Sequence, residues 1–325
     1  MTDYAAAFDW ARRHVQAGRL PSAVLGVATA DGVVALDAFG GDARRRVSVD
    51  DAYRLFSITK VLTGLTAARA VERGGLALQT PLSDAVAGFG SWRDDIVRLE
   101  HLVSHTSGIP EPELDDATPL QDALLTPGRD FAAGAASRYS TLAFEGIAAL
   151  VSHATGQTWD ADVAAWAQSI GADGLTLDEG ADPHPIVDAD AAGVDIAAFA
   201  TQRHPGAGMI GTATDLLAVG SALLRDAGEI VRPETHAMMR RPLTGDIPRL
   251  EPYPAESGQD WGFTFNLRTR APGLVDRDVY GHSGWPGTEF WVHPSAGVAY
   301  VLLTNRIDRP GVDADELDNA IVASA

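Results

Sequence analysis

Cysteine is missing altogether from the 325 residues. That excludes disulfides and thiolate metal sites, and leads to the expectation of a cytoplasmic protein. No apolar run reaches the length of about eighteen residues that a membrane-spanning helix needs, so no membrane association is expected. The opening segment, Met1-Thr2-Asp3-Tyr4-Ala5, carries acid early and has no basic stretch followed by an apolar one, so no secretory signal is expected either. Positive charge is scarce: 25 Lys and Arg stand against 44 Asp and Glu, a formal net charge of -19. This balance argues against nucleic-acid binding by phosphate neutralisation. The acidic stretches Glu111 to Asp116 and Asp178 to Asp190 read as solvated surface.

What is present suffices for a substantial core. Hydrophobic residues make up 46% of the chain, and its length fits one large unit or two interleaved ones. Tyr4, Phe8, Ala11 and Val15 predict an amphipathic helix over residues 3 to 17. The apolar, β-branched runs Ala23 to Ala30 and Val33 to Phe39 flank Asp31-Gly32, a strong hairpin signal. From Ser57 to about Arg225 the pattern is mainly helical. Helices are expected from Ser57 to Gly74-Gly75, over Arg98 to Ser104, near Leu120, over Thr141 to His153, over Trp159 to Ser169, and from Thr214 onward. Long loops are expected at Ile109 to Arg138 and Gly171 to Ala191. Strands return at Trp261 to Leu267, Asp278 to Gly281, Glu289 to His293 and Gly297 to Thr304, before a closing helix at Asp313 to Ala323. The expected fold is therefore α+β. Residues 1–56 and 226–325 form an antiparallel sheet domain from both chain ends, flanked by helices. Residues 57–225 form an inserted, mainly helical domain, with a site at the seam.

The stretch that organises the chemistry is Ser57-Ile58-Thr59-Lys60. Positions three apart share a helix face, so hydroxyl and amine converge. A serine hydroxyl is a poor nucleophile without a nearby base, and a lysine kept neutral by burial can serve. Read alone, the pair is equally a capping Ser and a solvated Lys. Three later stretches bear on the choice: His105-Thr106-Ser107-Gly108, Tyr139-Ser140-Thr141, and His282-Ser283-Gly284-Trp285. A phenol shuttles protons if neighbouring cations lower its pKa, and is otherwise a structural Tyr. The small residues around His282 leave room for an extended substrate, and the backbone N–H groups there can help hold an oxyanion. Trp261 and Trp291 read as core, Trp285 as reaching a pocket. His101 and His105 are four apart, but Leu102 stands where the zinc-protease pattern needs Glu, and no third ligand is evident. No metal and no cofactor is expected.

In this order and at these separations, the four stretches resemble the serine β-lactamase and penicillin-binding-protein superfamily. The likeness is greatest to the branch with class C β-lactamases, D,D-carboxypeptidases, D-aminopeptidases and family VIII carboxylesterases, and it covers nearly the whole chain. The resemblance implies a β-lactamase-like fold. It implies Ser57 as the acyl-accepting nucleophile and Lys60 as its proton partner. Tyr139 would be the Tyr of the family's Tyr-x-Asn motif, relaying a proton between nucleophile and leaving group. His282, Ser283 and Gly284 would be the strand motif, with His282 an electrostatic and proton-network neighbour. The N–H groups of Ser57 and Trp285 would form the oxyanion hole, and Thr141, Ser283, Gly284 and Trp285 would line the substrate site. Whether Lys60 or Tyr139 is the acylation base stays open.

Two departures matter. Thr141 stands where the motif has Asn, and His282 where strong lactamases carry Lys. Both weaken the case for efficient β-lactam turnover, whereas an ester demands less anchoring. The expectation is a serine hydrolase, a carboxylesterase on small esters. Alternatives are a β-lactamase, a D-amino-acid-specific peptidase or amidase, a transacylase, or a non-catalytic binding protein that kept the fold. The partner is a small-molecule ester or amide; specificity is assigned to 109–138, 171–191 and the surroundings of Trp285.

Overall fold

The structure, a computed structural model, describes residues 4–41 and 45–325. Residues 1–3, which include the start of the helix expected over 3 to 17, lie outside the described residues. The chain opens with α1 (Ala5–Gln16), whose Ala7, Trp10 and Ala11 are buried. The hairpin β1 (Ser22–Thr29) and β2 (Gly32–Gly40) follows where the sequence predicts it, with its turn at Ala30-Asp31, one residue earlier than expected, and Gly32 paired with Thr29. A two-residue strand β3 (Tyr53–Arg54) leads into α2 (Thr59–Glu72), then α3 (Leu99–Val103), α4 (Leu120–Leu124), α5 (Ala143–Thr155), α6 (Trp159–Ser169) and α7 (Ile196–Thr201). Strand β4 (Ile210–Gly211) pairs with β3 and precedes α8 (Ala213–Arg225) and α9 (Pro233–Met239). The chain closes with β5 (Asp260–Trp261), β6 (Asn266–Leu267), β7 (Tyr280–Ser283), β8 (Glu289–His293), β9 (Val298–Leu303) and α10 (Ala314–Val322).

Seven strands from both ends of the chain form one antiparallel sheet in the order β2-β1-β9-β8-β7-β6-β5. Both faces of its centre are covered, which explains why β1 and β9 read as unbroken apolar runs. Leu25, Val27, Trp291, Tyr300 and Leu302 face α1 and α10. Val24, Ala28, Phe290, Val301 and Leu303 face the helical side. Alternation with period two assigns each residue to its layer. On the helical side, α8 lies so close to the sheet that a Cβ on Gly220 would sit 2.6 Å from the Ala299 Cβ.

That packing places α8, counted above with the helical insertion, on the sheet itself. The same apolar cluster runs on without a break from Val301 through Leu217 and Leu62 to Leu150. Two local expectations are corrected. Trp261 to Leu267 is two short strands, because the Gly262 N–H turns back to the Phe265 carbonyl (2.9 Å) with Thr264 at φ +63°. Helix α8 is capped by Thr212 in a reciprocal box with Asp215, and starts one residue before Thr214. No helix among the described residues is long and apolar enough to cross a membrane.

Candidate active site

Ser57 does not open the long helix; it sits in a single 3₁₀ turn, Phe56–Ile58, that feeds into α2. Phe56 is held at φ +45°, a conformation that costs a bulky residue on the order of 1–3 kcal/mol. Aromatic packing retains it: its ring stacks on Phe199 at 5.1 Å and meets Trp285 edge-on at 6.2 Å. The turn is anchored from both sides. Leu55 donates its N–H to the Met209 carbonyl (2.8 Å), and the Leu55 carbonyl lies 2.5 Å from where a Cβ on Gly284 would be. Gly284 thus serves first to let the end of β7 approach the serine turn.

Lys60 is fully buried, one turn on from Ser57. Its Nζ lies 3.2 Å from Ser57 Oγ, 3.3 Å from Thr141 Oγ1 and 2.8 Å from the Gly206 carbonyl. Three partners satisfy the ammonium as donor; the neutral amine keeps two donors and turns its lone pair to a hydroxyl. Burial lowers the Lys60 pKa from 10.5 to about 7, against a smaller opposing pull from Glu111. The amine is thus substantially neutral near neutral pH. Thr141, though shorter than the motif's Asn, still reaches Lys60.

Tyr139 comes from just ahead of α5, and its hydroxyl lies 2.7 Å from Ser57 Oγ. On its other side is His282 Nε2, at 3.4 Å. His282 Nδ1 is 2.6 Å from the Ser283 carbonyl, an acceptor, so the ring proton is on Nδ1 and Nε2 offers a lone pair to the phenol. Burial, and then the charge of Lys60, lower the His282 pKa to about 3. His282 is consequently a neutral proton-network neighbour and supplies no positive charge to the site. Burial, with Tyr253 next, raises the Tyr139 pKa well above 10. Lys60 Nζ lies over its ring at 4.7 Å but does not offset the burial, and Tyr139 stays protonated.

Ser57, Tyr139, Thr141, Ser283, Gly284 and Trp285 line one cavity of about 730 Å³. Lys60 and His282 lie behind its wall, fully buried. Trp285 is 42% exposed at its edge. Among the described residues, the N–H groups of Ser57 and Trp285 have no partner within the protein, which leaves both free for an oxyanion. Of the loops expected to shape the cavity, 109–138 contributes Glu111 to Leu114 and Arg138. Residues of 171–191 do not line it; several border a separate groove beside Arg54. Their place is taken by Glu251, Pro252 and Tyr253, which the sequence reading passed over.

Other residues were missed as well. The sequence reads Glu111 as solvated surface, and the residue is exposed in part, but its carboxylate is turned inward and accepts from Ser140 Oγ and the Thr141 N–H, each at 2.7 Å, and from the Leu142 N–H. It thereby caps the first turn ahead of α5 and sets the posture of Thr141. Burial raises its pKa, and these hydrogen bonds hold it back. Nothing in Pro110-Glu111-Pro112 marks that role. Arg309 lines the cavity too, with Nη1 held by the carbonyls of Trp285 and Ile307, each at 3.0 Å. Trp261 is buried as expected, yet its ring lies against Tyr139, His105 and His282. One signal was open to composition alone: Lys60 is the only lysine in the chain, every other cationic side chain of this kind being Arg. Arginine is never deprotonated in proteins, so the one position with lysine is the one where a neutral amine is attainable. His101 and His105 each engage Nδ1 with a backbone N–H, of Arg98 and Ser140 respectively.

The family model described as Beta-lactamase matches residues 8–324. Esterase EstB of Burkholderia gladioli is 29% identical over 329 residues, spanning 81% of this chain and 80% of that protein. A family VIII carboxylesterase of known structure superposes with a TM-score of 0.81 at 20% identity, over 99% of this chain and 97% of that one. A penicillin-binding-protein homologue from Caulobacter crescentus gives 0.80 at 21%, over 99% and 97%. These two likenesses concern the fold.

Proposed function

We propose, for a chain that belongs to the beta-lactamase family and is a serine hydrolase of that superfamily, that its reaction is the hydrolysis of small carboxylic esters through an acyl-enzyme on Ser57. The observation that carries this reading is the meeting of Ser57 Oγ with the Tyr139 hydroxyl at 2.7 Å and Lys60 Nζ at 3.2 Å, at the wall of an open cavity. In its neutral form Lys60 takes the Ser57 proton as Oγ bonds to the ester carbonyl carbon. The N–H groups of Ser57 and Trp285 receive the negative oxygen. The carbon–oxygen bond to the alcohol then breaks, and the proton returns to the departing oxygen through the protonated Tyr139. Water attacks the acyl carbon as its proton passes to Lys60, and Lys60 returns that proton to Ser57 Oγ as the ester bond to Ser57 breaks and the acid leaves. His282 Nε2, at 3.4 Å, is a second acceptor within reach of the Tyr139 hydroxyl. The sheet and helical parts, divided at 56/57 and 225/226 but with α8 against the sheet, meet along this cavity.

The ester preference rests on two features: a neutral His282 where strong lactamases hold a cation, and Thr141 in place of Asn. The similarity to an esterase points the same way. One observation favours a second reading. Arg309 puts a guanidinium on the cavity wall, which suits a substrate carboxylate and so a β-lactam or D-amino-acid peptide. Ser57→Ala is expected to abolish hydrolysis of p-nitrophenyl butyrate with the fold intact. Mass spectrometry should find a fluorophosphonate adduct on Ser57 of the wild type. Activity retained in that variant removes the nucleophile assignment, and an unlabelled wild type favours a non-catalytic binding protein. Nitrocefin turnover comparable with ester turnover would decide for the second reading.

A further inference from the structure

We propose that His105 is the positioning residue that aims Tyr139 at Ser57, an inference that rests on the role given to Tyr139 above. His105 clasps three consecutive residues. Its carbonyl accepts the Arg138 N–H at 3.0 Å, and its Nδ1 accepts the Ser140 N–H at 3.1 Å. Between those two bonds, its ring stacks on the Tyr139 ring with centroids 4.5 Å apart and planes 30° from parallel. The Tyr139 side chain has no polar anchor besides its hydroxyl, so the direction of the phenol is set by its ring contacts. The His105 face is the nearest of these; Tyr253 stands edge-on at 5.3 Å and Trp261 tilts at 5.5 Å.

The rest of the motif works in the same direction. The Thr106 carbonyl accepts the Gly134 N–H and the Gly108 carbonyl accepts the Asp130 N–H, each at 2.9 Å. The stretch after α3 therefore ties down the whole segment from 130 to 140. His105 does this at a cost to the fold. Its backbone is left-handed at φ +58°. With Nδ1 accepting, the ring proton is on Nε2, which is buried without a partner. Strain and an unpaired buried donor are both destabilising, and such features persist where a site needs them. The titratable groups around the ring are Tyr139, Lys60 and His282, and burial, then Lys60, keep His105 uncharged. Its role is thus geometric and independent of pH.

The chemistry of substitutes separates the two parts of the clasp. Phe can stack on Tyr139 but offers nothing to the Ser140 N–H. Asn tolerates the left-handed backbone and supplies an acceptor near the place of Nδ1, but cannot stack. The test is a double-mutant cycle read as kcat and KM on p-nitrophenyl butyrate, with melting curves and fluorophosphonate labelling as folding controls. Tyr139→Phe is expected to lower kcat about 10²- to 10⁴-fold. His105→Phe should lower it about 10²-fold with KM little changed, and His105→Asn about tenfold. Added to Tyr139→Phe, either His105 substitution should cost no more than about threefold, since there is no phenol left to aim. Losses that multiply in the double variants would overturn the proposal, as would wild-type kcat in a folded His105→Phe. If His105→Phe fails to fold, the His105→Asn cycle decides on the same criterion. Full activity in Tyr139→Phe or Ser57→Ala would strike the underlying catalytic reading, a failure distinct from a multiplicative cycle, which strikes His105 alone.

Discussion

The side chain on which the site turns is Lys60, a lone amine in a chain otherwise supplied with guanidinium cations. With a pKa lowered to about 7 by burial, it passes from ammonium to base across neutral pH. Acylation requires the neutral form, so kcat/KM should rise with pH through about 7 and level off above it. Because no other lysine exists, a protein labelled with ¹⁵N in lysine side chains gives one Nζ resonance, whose titration reads this pKa directly. A midpoint near the ordinary 10.5 would remove Lys60 from the role of base. The same shift affects folding. The unfolded chain binds this proton up to about pH 10.5 and the folded one releases it near 7, so on account of Lys60 stability rises with pH between those values. Glu111 opposes the shift through its negative charge. Glu111→Gln should therefore move the acid limb of the kcat/KM profile to lower pH; movement to higher pH would show that Glu111 acts on Lys60 in some other way.

At the scale of elements, the site depends on three short pieces of chain held against each other. The turn at Phe56–Ile58, the end of β7 and the segment before α5 each bring one or two groups. Their spacing is set by close backbone approach, above all where Gly284 meets the Leu55 carbonyl. A methyl there would sit 2.5 Å from that oxygen and 2.1 Å from Thr288 Oγ1, well inside van der Waals contact. Gly284→Ala must push the serine turn away from the Trp285 N–H. Since a misplacement of about 1 Å can cost about 10²-fold in rate, kcat should fall by about that factor. An unchanged kcat with an unchanged melting temperature would mean that the turn yields without disturbing the oxyanion site.

At the scale of the whole molecule, a buried charge network lies on the α1 and α10 side of the sheet, outside the lining of the cavity. His293 is fully buried between Asp276 (Nδ1 to Oδ2, 3.0 Å) and Asp318 (Nε2 to Oδ1, 3.5 Å). Burial alone would lower its pKa, but the two carboxylates outweigh it and raise it from 6.5 to about 9. Stability from this raised pKa is fully present below pH 6.5 and is lost as pH climbs through about 9. His293→Gln should be less stable than the wild type at pH 6, with the difference narrowing toward pH 9.5 in denaturant melts. A constant difference would mean that His293 is not charged in the folded protein. The proposed ester hydrolysis should not follow this variant, because the network does not line the cavity.

Most of the fold and part of the site were legible before any coordinates. The hairpin of β1 and β2, the boundaries of β8 and α6, and the order of the Ser, Tyr and His stretches come from local signals: turn chemistry, periodicity, and residues within one helical turn. Ser57 and Lys60 belong to that class, since three residues of separation suffice to bring them together. Glu111, Tyr253, Arg309 and the clasp of His105 do not. They lie 45 or more residues from both Ser57 and Lys60 in the chain, and only packing brings Glu111, Tyr253 and Arg309 to the cavity and His105 against Tyr139. Even the chemistry proposed for the residues named from the sequence depends on tertiary structure. An amine, an imidazole and a phenol have ordinary pKa values in an unfolded chain; removal from water makes Lys60 a base at neutral pH, His282 neutral and Tyr139 a donor. Sequence determined which groups are available and in what order, because covalent spacing and local conformation are its own. Which of them are dry, and which face one another, was decided by the fold, because burial and long-range contact exist only once the chain has closed on itself.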